Sequence, residues 1–169
     1  MATVKHVLVA GESLGGSAGI APVDVIQGTA FPVERILFDA SLDEARFFKL
    51  TADNYGSGDW TFKIRWYAVN ATTGTVRWEI AMAAITPKSA AVNVETKAFA
   101  AAVIVDDAHL GATSKRLHEA TIVVTGANRD GVAEGDDVRI RLRRIGSHAV
   151  DTMANDAAVT EVRVSYSDT

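Results

Sequence analysis

Apolar and polar side chains alternate along the chain with a period of two, most plainly between Trp60 and Ala84. Trp60, Phe62, Ile64, Trp66 and Ala68 fall on one side, and Thr61, Lys63, Arg65 and Tyr67 on the other. The pattern repeats with Val76, Trp78, Ile80, Met82 and Ala84 against Arg77, Glu79, Ala81 and Ala83. A two-residue period is that of a strand with one buried face. The intervening Asn70-Ala71-Thr72-Thr73-Gly74 has turn chemistry, so the two runs form a hairpin. All three tryptophans sit on its inward face, and such an aromatic wall needs a second layer to cover it.

The same criterion finds six further strands. They are Val33 to Phe38, Ala45 to Thr51, Phe99 to Val105 (stopped by Asp106-Asp107), Glu119 to Thr125, the run through Val138, Ile140 and Leu142, and Thr160 to Tyr166. Turn-forming residues separate them, as in Gly126-Ala127-Asn128-Arg129-Asp130-Gly131, and Ala90 to Lys97 reads as loop or helical turn. Eight short strands without a helix predict an all-β fold, an eight-stranded antiparallel jelly-roll or Greek-key sandwich spanning residues 31–169. Residues 1–30 have a different texture. A short apolar run, Val7 to Ala10, leads into a segment with four glycines between Gly11 and Gly19, which predicts a glycine-rich arm ordered only against a neighbour or the body.

At 169 residues the chain can bury a core without covalent staples. It has no cysteine, which excludes disulfides, thiol catalysis and cysteine-ligated metals. A net charge of −4 argues against a general nucleic-acid binder. No apolar run reaches membrane-spanning length, and the first residues lack the apolar core of a signal peptide, so the expectation is a protein with no membrane partner and no export address.

Four features invite a chemical reading. Val7 to Gly16 runs an apolar strand into Gly11-Glu12-Ser13-Leu14-Gly15, the G-x-S-x-G spacing of a nucleophile elbow, and resembles the N-terminal block of GDSL esterases. Asp106-Asp107-Ala108-His109 offers a D-x-x-H, but it precedes the Gly126-Ala127-Asn128 block that it follows in that family. Gly15-Gly16-Ser17-Ala18-Gly19 is also a poor helix start, so a flexible arm is the favoured reading of Ser13. His6, His109, His118 and His148 show no metal-ligand spacing, and no metal or cofactor is expected. The acidic stretch Asp130 to Asp137 has hard oxygens suited to calcium, yet Asp and Gly are equally what a strand connection requires. Finally, Lys63, Arg65, Arg77, Arg139, Arg141, Arg143 and Arg163 all take outward positions. They read either as a solvated sheet face or as a contact surface for an acidic partner or neighbouring subunit. Nucleic acid is a weaker option, because Tyr67 is the one stacking aromatic beside them.

From Phe31 onward the order of pieces resembles jelly-roll proteins of tailed-bacteriophage virions. Those pieces are Ile36 to Leu50, Asp53 to Trp66, Gly74 to Ile80, Ala133 to Arg144 and Asp151 to Ala157. The resemblance implies a non-enzymatic capsid cement or decoration protein, commonly a homotrimer. Its partner would be the major capsid protein on the capsid exterior, with assembly in the bacterial host cytoplasm, and the arm would act as a clasp. The alternative is a carbohydrate- or receptor-binding appendage module of a phage head or tail fibre, for which Tyr55, Tyr67 and Phe47 are the aromatics available. A GDSL-type esterase acting through Ser13 comes third.

Overall fold

A computed structural model describes residues 3–16 and 19–168. It contains ten strands: β1 (Thr3–Val9), β2 (Val23–Gln27), β3 (Pro32–Phe38), β4 (Asp43–Thr51), β5 (Trp60–Ala68), β6 (Thr75–Ile85), β7 (Val103–Ala108), β8 (His118–Val124), β9 (Asp137–Ile145) and β10 (Ala157–Ser167). Two antiparallel sheets pack as a sandwich of the jelly-roll kind. Sheet A has the order β2-β3-β10-β5-β8, with β1 also on β10, and sheet B has the order β4-β9-β6-β7. Among the described residues the helical elements are two 3₁₀ turns, Ala10–Glu12 and Gly126–Arg129, and no helix is long and apolar enough to cross a membrane.

The tryptophans lie where alternation placed them. Trp60, Trp66 and Trp78 are wholly buried between the sheets. Trp78, on sheet B, meets Phe38 edge-on at 5.2 Å and Trp66 at 6.1 Å, both from sheet A. At the other end Trp60 stacks on Tyr166 at 4.3 Å. Each such side chain contributes roughly 1.5–3 kcal/mol through the apolar area it withdraws from water. The β5–β6 turn needs its glycine: Gly74 has φ of +107°, and a Cβ there would stand 2.8 Å from the Thr152 carbonyl oxygen.

Two expectations are corrected. The strands number ten because the first thirty residues supply two of them. β1 pairs with β10 from Thr3↔Ser167 to Val9↔Glu161, and β2 pairs with β3. Of the two supports expected for the arm, a neighbour or the body, its described residues take the body. Leu8, Ala10 and Ala21 enter the core, and Leu14 exchanges backbone hydrogen bonds with Phe47 along the outer edge of β4. Covering that edge satisfies backbone groups that would otherwise recruit another chain. The strand expected to stop at Asp106-Asp107 runs instead from Val103 to Ala108, because both carboxylates have partners there. Asp106 holds Arg77 through two bonds (2.7 and 2.9 Å), and Asp107 accepts the Trp66 indole N–H at 2.7 Å.

One ion pair ties the two sheets together. Arg144 follows Val138, Ile140 and Leu142 on the inward side of β9 and is fully buried. It donates twice to Asp151 (2.9 and 2.8 Å) and to the carbonyls of Phe38, Asn155 and Met153 (3.2, 3.1 and 2.9 Å). The guanidinium therefore leaves no donor unmade, the condition under which a buried charge is tolerable.

Candidate ligand-binding groove

A cleft of about 560 Å³ opens on the outer face of sheet A. Its floor is built by strand alternation: Tyr67 of β5 and Val33 and Arg35 of β3 point away from the core, beside Thr160. Thr160 is the extra residue of a bulge between Val159 and Glu161. There β10 passes from pairing with β3 to pairing with β1, and bulges commonly re-aim a side chain beside a site.

The walls come from two connections. The β2–β3 turn closes with Gly28 N–H donating to the Phe31 carbonyl at 3.1 Å. A Cβ on Gly28 would lie 2.5 Å from that oxygen, so glycine permits the tight turn that projects Phe31. Phe31 is 68% exposed and Ile26 beside it 37%. On the opposite side the β7–β8 connection is pinned to the end of β5, Lys115 N–H donating to the Ala68 carbonyl at 3.0 Å. This sets Lys115 and the exposed Leu117 over Tyr67.

The polar floor is rigid. Arg35 is buried beneath the groove and donates to both oxygens of Asp24 (2.7 and 3.1 Å) and to the Tyr67 hydroxyl (3.0 Å). Hydrogen bonding from Arg35 holds the Asp24 carboxyl below the usual carboxylate range, and Asp24 in turn raises Arg35 above its ordinary value. Because the Tyr67 oxygen accepts from a guanidinium, its own proton is left to donate into the groove. A fixed hydroxyl donor and an ammonium, ringed by exposed apolar groups, suit a polyhydroxylated ligand with apolar faces. No group in this set is arranged as a nucleophile with a base.

The seven basic residues do not form one surface. Lys63, Arg65 and Arg163 are on the outer face of sheet A, where they pair with Glu119 and Glu161. Arg139, Arg141 and Arg143 are on the outer face of sheet B, paired with Asp137, Glu79 and Asp43, and Arg77 pairs with Asp106. Hydrogen bonds from Lys63 and Arg65 keep the Glu119 carboxyl below its usual range.

The remaining sequence motifs are dispersed. Ser13 donates to the Ala10 carbonyl at 2.6 Å, Asp106 is held by Arg77, and His109 Nδ1 accepts the Gly111 N–H at 2.9 Å, so these three share no hydrogen bond. In the acidic stretch Asp130 binds Ala84 N–H and Lys97, Asp136 binds Ala133 N–H, and Asp137 binds Arg139. Among the described residues no cluster of three acidic or histidine side chains suits a metal. Of the aromatics anticipated for a sugar site, Tyr67 lines the groove. Tyr55 is buried, its hydroxyl donating to the Gly58 carbonyl at 2.7 Å. Phe47 faces Phe99 in a smaller cleft of sheet B. Phe31 was not anticipated, although an aromatic residue three positions after a turn glycine is the signal that marks it.

No protein-family model matches the chain, and no curated protein matches it in sequence. Its fold does match solved structures. A family 35 carbohydrate-binding module from Clostridium thermocellum is 15% identical, with a TM-score of 0.55 over 95% of this chain and 97% of that one. The family 35 module of Cellvibrio japonicus Abf62 is 16% identical, with a TM-score of 0.52 over 98% and 99%. A xylan-binding family 15 module is 10% identical, with a TM-score of 0.51 over 99% and 97%. These similarities lie in the fold.

Proposed function

We propose that the protein is a non-catalytic carbohydrate-binding module that holds a saccharide in the groove between the β2–β3 turn and the β7–β8 connection. The observation that carries this reading is Phe31, two-thirds exposed and set beside a Tyr67 hydroxyl that Arg35 and Asp24 lock in place. An exposed large aromatic next to preorganised polar groups is the composition of a binding hot spot. The similarity in fold to carbohydrate-binding modules supports it, although no position is carried over from them. The virion resemblance rests on residue order alone. The two readings meet if the module sits on a phage appendage.

A glycan array, followed by calorimetric titration of the hits, tests the proposal. Phe31→Ala should weaken binding about tenfold or more, and Tyr67→Phe, which keeps the ring and deletes the hydroxyl, by a smaller factor. An array without hits, or unchanged affinity in Phe31→Ala, rejects the groove.

A further inference from the structure

The outer face of sheet A has a second depression, about 280 Å³, lined by Lys5, Val7, Lys63, Arg163 and Ser165. The pairing register explains why these side chains converge. Lys63 of β5 stands opposite Arg163 of β10, which stands opposite Val7 of β1. In the next row Thr61 stands opposite Ser165, and Ser165 opposite Lys5. All of them take outward positions, so two cations form a direct cross-strand pair with a third on the diagonal.

Like charges directly opposite each other destabilise a sheet, and the arrangement is only partly neutralised. Lys63 reaches Glu119 at 2.7 Å and the Arg163 Nε reaches Glu161 at 2.8 Å, while both side chains remain about half exposed. Lys63 has further N–H donors, Arg163 has those of its terminal nitrogens, and Lys5 has no ion-pair partner among the described residues. The outward positions of β1, β10, β5 and β8 hold four cations, Lys5, Lys63, Arg65 and Arg163, against two carboxylates, Glu119 and Glu161. That is an excess of two positive charges on a chain whose net charge is −4. Such an excess of positive charge attracts anions.

The depression and the groove share one sheet face. Tyr67 and Lys63 are four residues apart on β5, or about 13 Å at the rise of a strand. We infer that Lys5, Lys63 and Arg163, with the Ser165 hydroxyl, form an anion subsite, and that the ligand is an anionic polysaccharide. Its chain runs along β5 and β10 from the groove and places a carboxylate or sulfate group among these cations. The inference rests on the saccharide reading of the groove and names the class of saccharide.

Matched pairs of polymers test it on the full chain: polygalacturonate against its methyl ester for carboxylate, and dextran sulfate against dextran for sulfate. The anionic member of at least one pair should bind about tenfold tighter at low salt, with the advantage shrinking as salt screens it. Lys5→Ser/Arg163→Gln, both at exposed positions, should abolish that advantage while leaving binding of the neutral polymer and the circular dichroism unchanged. Phe31→Ala should weaken both members of the pair. Equal binding of the two members, or an advantage that survives in the double variant, overturns the inference alone. Failure of every polymer to bind overturns the inference, and a glycan array that is also without hits overturns the saccharide reading with it.

Discussion

Replacing Arg144 by Met tests whether the buried ion pair holds the two sheets together. The side chains of Arg144 and Asp151 are both fully buried, and the guanidinium makes five hydrogen bonds. Methionine fits an elongated cavity but donates nothing. Asp151 would keep the Arg77 backbone N–H at 3.0 Å and lose its counter-ion, while the carbonyls of Phe38, Asn155 and Met153 would each lose a donor. Breaking one side of a buried pair costs about 3–5 kcal/mol, because the other charge stays buried and unpaired. Against a total stability of roughly 5–15 kcal/mol this is a large fraction. With a urea m-value of about 1–3 kcal/mol/M, the unfolding midpoint should fall by at least about 1 M at unchanged m. Asp151→Leu should cost a similar amount. The double variant Arg144→Met/Asp151→Leu should cost less than the two singles added together, since it leaves no orphaned charge. Single-variant losses below about 1 kcal/mol, or strict additivity, would refute the reasoning.

Two further perturbations probe the core. Trp78→Ala deletes the ring that meets Phe38 and Trp66 and should cost about 3–5 kcal/mol by denaturant titration; less than about 1 kcal/mol would show that this aromatic contact is dispensable. His118 is buried against Trp66, with ring centroids 4.4 Å apart, and faces His109, Asp107 and Arg116. Burial holds its imidazole below the ordinary 6.5, so below that pH the unfolded chain takes up more protons than the folded one. Stability should therefore decline as pH falls from 6.5 toward the folded-state value. The lowered carboxyls of Asp24, Asp106 and Glu119 lose their contribution only in the more acidic range, below about 4. Thermal melts of His118→Phe should be flat across the upper window, and a slope identical to that of the parent chain would remove His118 as its source.

Side-chain direction was legible in the sequence because it is a local property. A strand with water on one side and core on the other writes a two-residue period, and this alone placed Trp60, Trp66 and Trp78 inside and the seven basic residues outside. The same period, carried one step past Leu142, also puts Arg144 inside; what stayed hidden was Asp151, its partner across a loop. In β1 the inward register includes His6, whose polarity blurred the alternation and made a paired strand read as an arm. Asp106 and Asp107 read as a stop because their partners, Arg77 and the Trp66 indole, lie 29 and 41 residues away. Period two also cannot say which sheet a strand joins. Long-range pairing alone decided that Lys63 and Arg163 share a face with Lys5, while Arg139, Arg141 and Arg143 lie on the opposite sheet. The groove likewise exists only once the β2–β3 turn and the β7–β8 connection, distant in the chain, have been brought to either side of Tyr67.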